Sequence, residues 1–71
     1  MPNSRKLKAR ILEKGLTIKS IADLMKLTAY TLGRKISGKT PMTLAEAWQL
    51  MEILEISDME FKSYFFDHQV A

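Results

Sequence analysis

Residues 17–38 read TIKSIADLMKLTAYTLGRKISG, and this stretch decides the fold. Thr17 can cap a helix, because its hydroxyl accepts a hydrogen bond from a first-turn backbone N–H that otherwise has no partner. Ile21, Ala22, Leu24 and Met25 follow at helical spacing. Thr28 repeats the cap, and Leu32 and Ile36 then stand four apart on one face. Gly38 sits where a helix should stop. The spacing predicts two short helices, over 18–25 and 29–36, joined by a tight turn. That arrangement is a helix-turn-helix, which offers the outer face of its second helix to a DNA major groove.

On the N-terminal side, Leu7 and Ile11 mark the buried stripe of a helix over 4–14, with Leu12 beside it. Gly15 ends that helix, being free to take the left-handed conformation. On the C-terminal side, Lys39-Thr40-Pro41 is a loop, because proline steers the residue before it away from helix. Thr43 and Glu46 form a capping box at the start of a fourth helix. Its Leu44, Ala47, Trp48, Met51 and Leu54 share one face. Ser57 and Glu60 make a second capping box, and residues 59–66 form a fifth helix with Phe61, Tyr64 and Phe65 at helical spacing. The tail at 68–71 is expected to fray. There is no strand alternation, repeat or low-complexity segment. The expectation is an all-α fold: five short helices around one core, in a single domain spanning 1–71.

A chain of 71 residues buries only about 60% of its unfolded surface, so its core is marginal and association is plausible. It has no cysteine, which excludes disulfides, thiolate metal sites and a cysteine nucleophile. No apolar run approaches the roughly 20 residues that span a bilayer. The basic start, MPNSRKLKAR, is followed by no apolar signal core. A cytoplasmic protein with no membrane partner is expected. Net charge is +3, but it is split. Residues 1–40 hold ten basic residues against two acidic ones, a balance of +8, and residues 41–71 hold one against six, a balance of −5. The basic half points to a polyanion partner, with a plain solvated surface as the alternative. No nucleophile elbow or phosphate loop appears. Glu52, Glu55, Asp58 and Glu60 form no acid–base pair, and His68 has no second ligand at metal spacing. Neither enzymatic activity nor a metal or cofactor is expected.

The pattern Thr17-x-x-x-Ile21-Ala22-x-x-Met25-x-Leu27-Thr28-x-x-Thr31-Leu32-x-Arg34-Lys35-Ile36-x-Gly38-Lys39 resembles the DNA-binding domains of Cro and CI-type phage repressors. The continuation Pro41-Met42-Thr43-Leu44-x-Glu46-Ala47 and the ending Tyr64-Phe65-Phe66 are similar to small Cro-like proteins of phages that infect Gram-positive bacteria. The resemblance covers about residues 5–67. It implies a lambda-repressor-like domain acting in the lytic/lysogenic switch inside a bacterial host cell. Proteins of this kind are either Cro-like repressors that bind operator DNA or antirepressors that bind the CI-type repressor itself. By position, the resemblance makes Ala22 the small residue at the helix crossing, and Leu27 and Leu32 core residues around the turn. It puts Ile18 at a phosphate, Ala29, Tyr30, Thr31 and Arg34 toward the groove, and Lys39 near the DNA backbone. Four residues depart from the pattern. Lys26 stands where glycine is usual, at a cost of about 1 kcal/mol if it is left-handed. Ile18 cannot hydrogen-bond a phosphate. Ala29 offers only a methyl contact to thymine. Gly33 weakens its helix by roughly 1 kcal/mol relative to alanine.

The candidate binding residues are Ile18, Lys19, Thr28, Ala29, Tyr30, Thr31, Arg34, Lys35 and Lys39. On double-stranded operator DNA, Arg34, Tyr30 and Thr31 would read bases while Lys19, Lys35 and Lys39 hold phosphates. A bidentate Arg34–guanine pair would contribute about 1–3 kcal/mol of discrimination, and a homodimer would meet half-sites about 34 Å apart. On a CI-type repressor, the apolar patch of Ile18, Ala29 and Tyr30 would supply affinity and the surrounding charge would speed association. The patch is also compatible with ordinary scatter of surface hydrophobes. Arg5, Lys6, Lys8 and Arg10 are either phosphate clamps or a solvated face. Trp48, Phe61, Phe65 and Phe66 read as core, with a homodimer interface as the functional alternative.

Overall fold

Four helices open on a side chain that accepts a hydrogen bond from the first turn, and these caps set the chain's punctuation. The computed structural model describes residues 2–65. Helix α1 (Ser4–Glu13) is capped by Asn3, α2 (Ile18–Met25) by Thr17, α3 (Ala29–Ile36) by Thr28 and α4 (Leu44–Ile53) by Thr43. Helix α5 (Asp58–Phe65) follows, and there is no strand among the described residues. The Thr43–Glu46 capping box forms as expected, at 3.1 and 2.9 Å. The box at Ser57 forms only in half. Glu60 Oε1 accepts from the Ser57 hydroxyl at 3.1 Å and from its N–H at 3.4 Å, while the Glu60 N–H bonds the Ser57 carbonyl instead. The fifth helix starts at Asp58, one residue earlier than its aromatic spacing predicts. Phe66, His68 and the tail at 68–71 lie outside the described residues.

Between α2 and α3, Lys26 is left-handed, with φ 59°. The Leu27 N–H then reaches back to the Ala22 carbonyl at 2.8 Å, which closes α2 and turns the chain into Thr28. A side chain in this conformation costs about 1 kcal/mol relative to glycine.

The buried residues come from all five helices and interlock. Leu7 and Ile11 of α1, Ile21, Ala22 and Met25 of α2, and Leu32 and Ile36 of α3 meet Ala47, Leu50, Met51 and Leu54 of α4. Ile56, Tyr64 and Phe65 complete the core. Helix α2 packs on both α3 and α4, and α1 packs on α5. Leu32 is fully buried, and truncating such a side chain costs about 2–5 kcal/mol.

The structure corrects the expected inner face of α4. Ala47, Leu50, Met51 and Leu54 form the buried ridge, at i, i+3, i+4 and i+7. Leu44 is 60% exposed and Trp48 47% exposed, so neither belongs to it. Apolar residues cover more than half the circumference of this helix, and the packing of α2 selects which arc turns inward. Trp48 instead stacks on Phe61 with ring centres 5.5 Å apart, and Phe61 meets Phe65 at 4.9 Å. Leu12 and Leu24, which the periodicity placed with the apolar stripes of α1 and α2, also face outward.

Candidate macromolecule-binding face

Helix α3 is eight residues long and buries only Leu32 and Ile36. Its other positions therefore meet solvent or the edges of its neighbours. Tyr30 is 75% exposed. The Arg34 guanidinium lies 5.9 Å from the centre of the Tyr30 ring, and its Nε donates to Thr40 Oγ1 at 3.0 Å. Both side chains stand on the surface of the fold. A shallow groove of about 350 Å³ runs beside them. Ile18, Ala29, Tyr30 and Gly33 give the groove its apolar part, and Lys8, Arg34 and Lys39 contribute three cations. Among the described residues, no carboxylate lines it. A methyl group built on Gly33 would meet nothing within 4 Å, so packing within the chain does not require glycine there.

The remaining candidate residues divide by how far they are already engaged. Ile18 is half-buried and packs against the core, so it presents only an edge. The Thr28 hydroxyl accepts from the Thr31 N–H at 3.1 Å and donates to the Thr31 hydroxyl at 2.8 Å. Both threonines thus spend hydrogen-bonding capacity on the cap of α3. Lys19 is exposed and forms a loose ion pair with Asp23 at 3.9 Å. A surface pair of this kind contributes at most about 1 kcal/mol, so the ammonium is available to another anion.

Lys35 is already engaged within the chain. Its Nζ lies 3.0 Å from Glu46 Oε1 and 3.2 Å from the Pro41 carbonyl, and its side chain is 13% exposed. It ties the end of α3 to the start of α4. Burial opposes the charge on Glu46, but the Thr43 N–H and the Lys35 ammonium outweigh it and hold the carboxyl below its ordinary 4.5.

Lys6 and Arg10 of α1 are similarly committed. Arg10 donates to the Leu54 carbonyl from Nε and to the Glu55 carbonyl from Nη2, both at 2.9 Å, and Nη1 reaches Glu13 at 3.0 Å. The Glu13 carboxylate favours the charged guanidinium, so Arg10 holds its proton more tightly than usual. Lys14 pairs with Glu55, and Lys6 donates to Ser63 Oγ at 2.7 Å with its ammonium 4.7 Å from the centre of the Tyr64 ring. Arg10 and Lys6 are therefore braces between α1 and the α4–α5 end of the molecule rather than clamps. Of the four basic residues near the N-terminus, Lys8 alone lines the groove, joined there by Gly33. Sequence spacing could not single out Lys8, because the approach of α1 to α3 is a tertiary contact.

Among the described residues, no group of carboxylates and histidine could hold a metal ion, and no helix is long and apolar enough to cross a membrane. A family model described as "Protein of unknown function (DUF739)" matches residues 3–68. No curated protein and no solved structure matches the chain.

Proposed function

This chain belongs to the DUF739 family, and we propose that its α2–turn–α3 unit is a helix-turn-helix that binds operator DNA, as a Cro-like regulator of a phage lytic/lysogenic switch. The observation that carries this reading is the carboxylate-free groove beside exposed Tyr30, with Lys8, Arg34 and Lys39 around it. Such a face attracts a polyanion and repels nothing on it. Arg34 would exchange its bond to Thr40 for the acceptor edge of a guanine. Ala29 and the edge of Ile18 suit thymine methyls. Gly33 removes the side chain that would hold DNA away from the helix. Lys8, Lys19 and Lys39 would neutralise phosphates, and Lys35 would not.

Selection from a randomised duplex library, followed by anisotropy titrations between 50 and 200 mM salt, tests the reading. We expect an enriched sequence and a log–log salt slope of about −3 per bound copy, from three phosphate contacts. Arg34→Ala should erase the preference at one base pair by about 5- to 150-fold. Lys39→Ala should weaken all sequences alike and reduce the slope by about 1. No enriched sequence together with a flat salt response would refute it.

A second reading is favoured by the engagement of Thr28, Thr31 and Arg34 with partners inside the chain. It makes the same face an antirepressor surface, whose apolar centre of Ile18, Ala29 and Tyr30 covers the DNA-reading side of a CI-type repressor. Ile18→Gln separates the two, since an amide helps contact a phosphate and harms an apolar protein interface. A mixture with the cognate CI-type repressor that elutes as two separate species in size-exclusion chromatography would dispose of this alternative.

A further inference from the structure

We propose, on the DNA-binding reading above, that Thr40 is a latch on Arg34: its hydroxyl holds the guanidinium back until a guanine offers a better acceptor, so this loop residue sets how sharply the chain discriminates between bases. Arg34 meets the loop after α3 through both its backbone and its side chain. Its carbonyl accepts from the Lys39 N–H at 2.9 Å and the Thr40 N–H at 3.3 Å, and its Nε donates to Thr40 Oγ1 at 3.0 Å. Gly38, with φ 82°, turns the chain back so that these N–H groups reach the carbonyl. One residue further on, the Pro41 carbonyl accepts from Lys35 Nζ at 3.2 Å. Backbone bonds on both sides thus fix the Thr40 hydroxyl in place. The guanidinium is held by that hydroxyl and by the Tyr30 ring, whose centre is 5.9 Å away. It is the movable partner of the two.

Direction decides what the bond does. A recognition helix meets base edges with its N-terminal residues, and Thr40 lies beyond the C-terminal end of α3. The loop is also divided between two surfaces. Ser37 and Lys39 line the groove at α3, whereas Gly38 and Thr40 line a separate, mainly apolar groove at the start of α4. The bond to Thr40 therefore draws the Arg34 Nε toward the far side of the loop, away from a duplex seated on α3. Reading a guanine through Nε and one Nη requires that bond to break. A guanine accepts two hydrogen bonds from the fork, so the exchange is favourable there. Against another base the guanidinium stays on Thr40 with its Nε–H satisfied, and the mismatch leaves no orphaned donor. The latch thus weakens binding to the preferred base and softens the penalty for the wrong one.

Thr40→Val removes the hydroxyl and keeps the branched shape and the backbone N–H. Anisotropy titrations at one salt concentration compare the selected duplex with a second duplex, in which the guanine whose preference Arg34→Ala erases is replaced by adenine. We expect Thr40→Val to bind the selected duplex about 3- to 10-fold more tightly, the net worth of one intramolecular hydrogen bond, and the adenine duplex within about twofold of the original chain. Thr40→Ser should restore the original ratio. In an Arg34→Ala background Thr40→Val should change nothing, a result that a merely structural role for Thr40 does not produce. Without DNA, NMR of the arginine side chains at neutral pH should show an Arg34 Nε–H protected from exchange in the original chain and in Thr40→Ser, and unprotected in Thr40→Val. Equal or weaker binding of the selected duplex by Thr40→Val overturns the latch. So does a gain shared by both duplexes, a gain that persists without Arg34, or an Arg34 Nε–H that exchanges freely in the original chain. If no sequence is enriched, the DNA reading fails and the latch falls with it. An enriched sequence with an unchanged ratio sinks the latch alone.

Discussion

Replacing Lys35 with methionine should destabilise the fold while leaving the electrostatics of binding unchanged. The Lys35 ammonium has two acceptors, Glu46 Oε1 at 3.0 Å and the Pro41 carbonyl at 3.2 Å. The two side chains are only 13% and 18% exposed, so water screens the pair far less than it screens Lys19–Asp23, at 3.9 Å and 80% and 70% exposed. A fully exposed pair contributes about 0.2–1 kcal/mol. A charge-assisted hydrogen bond shielded from water contributes about 1.5–3 kcal/mol. Glu46 keeps the Thr43 N–H in the variant, which spares it complete isolation. The methionine also retains most of the lysine stem's packing. The loss should therefore be about 1–2 kcal/mol, between the two limits, or roughly 4–16 °C in Tm for a domain of this size. Circular dichroism melts at 222 nm measure it. Salt-dependent binding to a DNA duplex, measured alongside, should keep the slope of the original chain. Lys39→Met should do the opposite, with an unchanged melt and a slope smaller by about 1. If Lys35→Met melts with the original chain and loses a unit of salt slope, the ammonium serves a phosphate and the tie to Glu46 is incidental.

Three further outcomes follow from the geometry. Lys26→Gly should raise Tm by roughly 4–8 °C, since it relieves about 1 kcal/mol of left-handed strain at φ 59°; an unchanged or lower melt would contradict this. Gly33→Ala should stabilise free α3 by up to about 1 kcal/mol, because the added methyl meets nothing, and should weaken binding if the ligand seats against the α3 backbone; a melt that falls would show a clash absent from the structure. Stability should fall as pH drops through 4.5 and below: Glu46 holds its proton more weakly folded than unfolded, so the unfolded chain takes up more protons there. Urea midpoints between pH 3 and pH 6 should show this slope, and Glu46→Gln should flatten it.

The sequence makes the turns and caps of this fold readable because each depends on a few neighbouring residues. Thr17 and Thr28 open helices that run over 18–25 and 29–36, as the spacing predicts. The strain at Lys26 follows from its place between Met25 and Leu27 in the same pattern. Misjudged features needed a partner from far along the chain. Leu44 and Trp48 are apolar and in helical phase, yet the contact with α2 turns a neighbouring arc inward. Lys35 shows its charge in the sequence, whereas the carboxylate that occupies it stands eleven positions on, in another helix. Arg10 is committed in the same way, to carbonyls 44 and 45 positions away. The candidate face was legible as a set of outward positions on one helix. Its groove was not, because Lys8 arrives there from α1 and Ile18 is drawn halfway into the core.

The cations that line the groove at α3 stand apart from the carboxylates of α4 and α5, and that gives the molecule a handle for orientation. Lys8 and Lys39 line the groove at α3, whereas Glu52, Asp58 and Glu60 sit on α4 and α5, which contribute nothing to it. At physiological ionic strength, fields decay over about 8 Å, and the longest extent of the molecule is 35 Å. A nearby anionic surface therefore acts on whichever side is closest, almost without reference to the rest. The modest overall +3 understates the attraction felt in one approach direction and conceals the repulsion felt in others. An incoming molecule is rotated as it arrives, so that encounters are aligned before any side chain touches.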